Sequence, residues 1–88
     1  MTSRKRIPVL VPEPQISLRE IEDYVRDVFV REFGREAIKR VSVGKYPDEY
    51  GVLITVDERH SKMSQLSDEI ERQFEEKGIE VGIGVSTI

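Results

Sequence analysis

The sequence predicts an α+β domain, a two-layer αββαβ sandwich in which two helices cover one face of a three-stranded sheet. Three observations carry that expectation. Apolar residues recur at three- and four-residue steps from Leu18 to Phe33 and again from Met63 to Phe74, the periodicity of amphipathic helices. They alternate at Val41 and Val43, at Val52, Ile54 and Val56, and at Ile79, Val81, Ile83 and Val85, as strands with one buried face do. Two helical stripes and one apolar sheet face bury each other in two layers.

Residues Met1 to Gln15 hold three of the four prolines, at positions 8, 12 and 14. Proline removes an amide donor and biases its predecessor toward extended geometry, so residues 1–15 are expected to form an extended, flexible arm and residues 16–88 a single domain. Ser17-Leu18-Arg19-Glu20 has the capping-box spacing and predicts the start of the first helix. Its stripe is Leu18, Ile21, Val25, Val28, Phe29 and Phe33, with Tyr24 and Val30 at the margin and Gly34 as a left-handed C-terminal residue. From Ile38 the period becomes two. The polar stretch Lys45 to Gly51 then predicts a hairpin turn before Val52 to Val56. Ser61 or Ser64 is the expected cap of the second helix, which ends at Lys77 and Gly78. Whether the last strand lies beside the first or the second is left open, because crossover rules constrain handedness more than position.

Composition narrows the function classes. At 88 residues, 38% hydrophobic and 35% charged, the chain suits a globular domain with a thin core and a solvated exterior. The absence of cysteine excludes disulfides, thiolate nucleophiles and zinc–thiolate sites. Ile7 to Val11 is too short for a secretory core and no run reaches the roughly 20 apolar residues of a membrane span, so a cytoplasmic location without membrane contact is expected.

If the alternating aliphatics face the helices, Arg40, Ser42, Gly44, Leu53, Thr55, Glu80, Gly82 and Gly84 face the other way. Leu53 is then the lone large apolar group on a face of small residues. Glycine weakens a strand interior, so Gly82 and Gly84 two residues apart mark either a last strand that tolerates glycine or a place where something approaches the backbone closely. Leu53, Thr55, Gly82 and Gly84 are the predicted contacts of a non-catalytic interaction module that pairs with a second copy or another protein.

Chemistry finds less support. His60 is the only histidine and follows Asp57 and Glu58, whose directions alternate along an extended chain, so no metal site or catalytic triad is expected there. Pro47 and Asp48, followed by Asp57, Glu58 and Arg59, imitate a metal-dependent nuclease fragment, but arginine stands in the usual lysine position. A nucleic-acid-associated role is the alternative, using Arg4, Lys5, Arg6 and Arg40, with Arg35 and Lys39 nearby. Against it, no aromatic residue is placed on the open face, Tyr46 and Tyr50 being assigned to the turn. The second helix also carries Asp68, Glu69, Glu71, Glu75 and Glu76, which repel phosphate. No cofactor is expected.

The paired strands Val41 to Val43 and Val52 to Asp57, the helix around Ser67, Asp68, Glu69 and Ile70, and the final strand resemble the cytoplasmic domain of cation diffusion facilitators. The resemblance covers about half the chain and implies a stand-alone dimerising module. That family's histidine positions in the second helix and last strand fall here on Ser64 and Gly84, so its metal binding does not carry over.

Overall fold

Helix α1, Leu18–Phe33, starts where the capping box lies in a computed structural model that describes residues 16–88. The Glu20 amide donates to the Ser17 hydroxyl at 3.0 Å and the Ser17 amide to the Glu20 carboxylate at 2.9 Å. Ile21, Val25 and Phe29 are fully buried, and the helix stops at Gly34. There φ is 93° and ψ is 148°, so the backbone has the positive φ that favours glycine but an extended ψ rather than the expected left-handed helical one. The arm expected over residues 1–15 lies outside the described residues.

A 3-10 turn, Arg35–Ala37, leads into strand β1, Ile38–Lys45, which pairs antiparallel with β2, Tyr50–Val56. The register passes from Ile38 opposite Val56 to Arg40 opposite Thr55, leaving Lys39 as the extra residue of a bulge. The hairpin loop, residues 46–49, is closed by the Tyr46 amide donating to the Glu49 carbonyl at 2.8 Å. Helix α2, Ser61–Glu76, then crosses to strand β3, Val81–Thr87, which lies parallel beside β2. The sheet order is therefore β1-β2-β3. This order puts at the centre the strand whose Val52, Ile54 and Val56 are buried, and lets α1 pack on β1 while α2 packs on β3. Beside β1, the last strand would have left those three side chains at the rim of the sheet.

The helices meet the sheet over one core that includes Phe29, Ile54, Val56, Met63, Ile70 and Phe74. At its margin the Tyr24 ring stands edge-on to Phe74 with centroids 5.5 Å apart, and its hydroxyl donates to Gln73. Among the described residues one polar group is trapped: Ser67, on the inner face of α2, is 4% exposed and its hydroxyl has no hydrogen-bond partner there.

Three further details differ from what the sequence predicts. The cap of α2 is His60, not Ser61 or Ser64: its Nδ1 accepts the Lys62 amide at 3.1 Å. The imidazole is held there because its ring packs 5.5 Å from that of Phe33, a contact across the fold. Strand β3 begins at Val81 rather than Ile79, although Ile79 is buried in the connection. Glu71, read from sequence only as one of the phosphate-repelling acids of the second helix, is half-buried and accepts the Ile83 amide at 2.7 Å. It thereby occupies a donor on β3, the edge strand away from β1.

Candidate interaction face

Antiparallel pairing on one side of β2 and parallel pairing on the other align the outward residues in rows. These rows are Arg40–Thr55–Ser86, Ser42–Leu53–Gly84 and Gly44–Gly51–Gly82. Strand parity falls as the alternation predicts, since Val41, Val52, Ile54, Val56 and Val81 are buried against the helices while Arg40, Leu53 and Gly84 are exposed. Among the described residues no helix lies on the outer side. The predicted contacts Leu53, Thr55, Gly82 and Gly84 therefore share one face, with Leu53 at its centre and 48% exposed.

The row of three glycines lies against side chains of the chain's own hairpin loop. The hairpin loop folds back so that the Tyr46 ring lies over Gly44 and Gly51. A Cβ at Gly51 would come within 2.6 Å of Tyr46 Cε2, and one at Gly44 within 3.7 Å. The Glu49 carboxylate covers Gly82, where a Cβ would meet its Oε1 at 3.3 Å. The contact at Gly44 is an ordinary one, as it is at Gly84, where Leu53 Cδ1 lies 3.8 Å from the same notional atom. The small side chains of the hairpin's own strands thus admit an aromatic ring that side-chain alternation alone places in the turn. Tyr46 is 57% exposed, so the face carries two large apolar groups, not Leu53 alone. Between them lies an open depression of about 410 Å³. A sequence signal existed in the glycines at both foot positions of the hairpin, Gly44 and Gly51, which are paired with one another. Tyr50, by contrast, heads β2 in register with Val81 and donates toward the Ile16 carbonyl at 3.5 Å.

Within the three rows the charges sit at two corners, with Glu80 exposed just before β3 beyond the Gly82 corner. Arg40, at the β1 edge, and Glu49, over Gly82 on β3, lie diagonally across Leu53. Arg40 also borders a groove of about 290 Å³ between β1 and α1, lined by Arg26, Arg35, Lys39 and Val30 among others. Two of these cations are already paired: Arg26 with Glu22 at 2.7 Å, and Lys39 with Asp57 at 3.3 Å. Arg4, Lys5 and Arg6, named with Arg40 for the nucleic-acid alternative, lie outside the described residues.

The nuclease-like set is not brought together. Asp48 sits in the hairpin loop, while Asp57, Glu58 and Arg59 follow the opposite end of β2, a strand of 7 residues that spans roughly 20 Å. Asp57, Glu58, His60 and Glu36 line an open groove of about 660 Å³ with Phe33 and Met63. Among the described residues no three potential ligands converge as a metal site, and His60 Nδ1 is engaged as a helix cap. Among the same residues no helix is long and apolar enough to cross a membrane. No protein-family model matches this chain, and no curated protein is similar enough to it to point to a relative.

Proposed function

We propose that this protein is a small non-catalytic interaction module that pairs with a second copy of itself through the open sheet face. The observation that carries this reading is the exposure of Leu53 at the centre of a face on which Tyr46 is also exposed and whose charges lie at its periphery. A large apolar side chain there gains most from removal from water when a flat, weakly charged surface covers it. A second copy supplies such a surface with no further component. The resemblance to a dimerising cytoplasmic domain supports the same direction.

Area sets the strength. Three strands about 4.8 Å apart and seven residues at about 3.3 Å each make a footprint of roughly 300–350 Å². Stable specific interfaces take about 800 Å² per partner, so the pairing is weak and reversible. Sedimentation velocity at high micromolar concentration is expected to show a concentration-dependent dimer that Leu53→Asp abolishes while the circular dichroism spectrum is retained. A strict monomer for the unaltered chain refutes the proposal.

A second reading draws on a different feature, the groove beside β1 with Arg35 and Arg40, which have no ion pair among the described residues. A nucleic-acid backbone bound there, aided by Arg4, Lys5 and Arg6, would show affinity that falls steeply with salt. Anisotropy with labelled single and double strands tests it, and no binding at low salt dismisses it.

A further inference from the structure

We infer that the two copies meet about a two-fold axis through Leu53 that sets each Arg40 against the partner's Glu49. This rests on the self-association proposed above and adds its geometry and the residues that orient it. Leu53 occupies the centre of the face, and both charged corners lie two residues along and one strand across from it, Arg40 toward β1 and the Gly82 position under Glu49 toward β3. Each corner is thus about 8 Å from the centre, on opposite sides of it.

A closed pair of identical faces is isologous: its axis lies in the interface, and whatever residue i touches touches residue i in return. Four orientations of that axis through Leu53 are distinct for a face with charges at opposite corners. Along the strands, Arg40 faces Ser86 of the partner subunit. Across them, it faces the Gly44 corner beneath the Tyr46 ring. Along the diagonal joining the two charges, Arg40 meets Arg40 of the partner subunit and Glu49 meets Glu49 of the partner subunit, a doubly repulsive arrangement. Only the axis perpendicular to that diagonal pairs opposite charges, and it does so twice per dimer while Leu53 packs on its counterpart. With a footprint this small, two ion pairs at the rim select the orientation rather than supply most of the affinity.

Charge reversal tests this directly. Arg40→Glu and Glu49→Arg are each expected to weaken dimerisation about tenfold at low ionic strength, since each converts two attractive pairs into two repulsive ones. The double variant Arg40→Glu/Glu49→Arg is expected to return to within about threefold of the unaltered chain. Added salt should shrink the difference between singles and double. Because the chain lacks cysteine, an independent check is available: an oxidised equimolar mixture of Arg40→Cys and Glu49→Cys should yield the mixed disulfide dimer above the statistical proportion. If Leu53→Asp abolishes the dimer while neither single reversal changes it, self-association stands and this geometry falls. Singles that weaken the dimer without rescue in the double variant overturn the pairing as well. A monomeric unaltered chain overturns both.

Discussion

The two faces of the sheet are built from the same three strands and differ in almost every physical respect. On the helix side, the outwardly unremarkable alternation of valine and isoleucine is excluded from water by Ile21, Val25 and Phe29 of α1 and Met63, Ile70 and Phe74 of α2. On the other side, glycines lie against side chains of the chain's own hairpin, and Leu53 is left half in water. Neighbouring residues of one strand therefore do opposite work: Ile54 holds the domain together, and Leu53 is available to something outside it. A domain this small with a core on one side only has little stability to spare, about 0.1 kcal/mol per residue, so the division between the faces is measurable.

The largest contrast is between those two neighbours. Ile54→Ala is expected to destabilise the fold by about 3 kcal/mol, because it leaves a cavity among fully buried side chains. Leu53→Ala should change stability by less than about 0.5 kcal/mol when measured by urea unfolding at concentrations too dilute for association. Equal losses would erase the distinction. A smaller effect of opposite sign is expected inside the core. Ser67→Ala removes a buried hydroxyl that has no partner among the described residues and improves helix propensity, so it should stabilise by about 0.5–1 kcal/mol. A fall in the unfolding midpoint would show that the hydroxyl is satisfied in solution.

The smallest effect lies away from both faces, at the start of α1. The Ser17 backbone amide, and then the Ser17 hydroxyl, hold the Glu20 carboxyl below its ordinary value near 4.5, with burial opposing weakly. A depressed carboxyl contributes stability that is present above its unfolded value and is lost as pH falls through the folded one. The unfolding midpoint of the unaltered chain should therefore decline slightly more below about pH 4.5 than that of Glu20→Gln. Parallel curves would show that the cap makes no contribution through this charge.

What was readable in advance follows from range. The Ser17 capping box, the stripe of α1 and the alternation of the first two strands are patterns of residues close in sequence, and each appears in the structure where its spacing places it. The parity of Leu53, Gly82 and Gly84 is equally local, since one residue's direction determines the next. The remainder was hidden for a common reason. His60 caps α2 because Phe33, from another element, holds its ring. Glu71 reaches across to the Ile83 amide of β3. Tyr46 belongs to a turn by sequence but lies on the open face because the loop folds over Gly44 and Gly51.

By itself the sequence determined the two helices, the three strands and which side of each strand avoids water, because helical and strand periods are properties of neighbouring residues. Tertiary structure alone decided that β3 lies beside β2, that two corners of the open face are oppositely charged, and that Tyr46 joins Leu53 upon it. Those features depend on distances through space between segments, which no local period encodes.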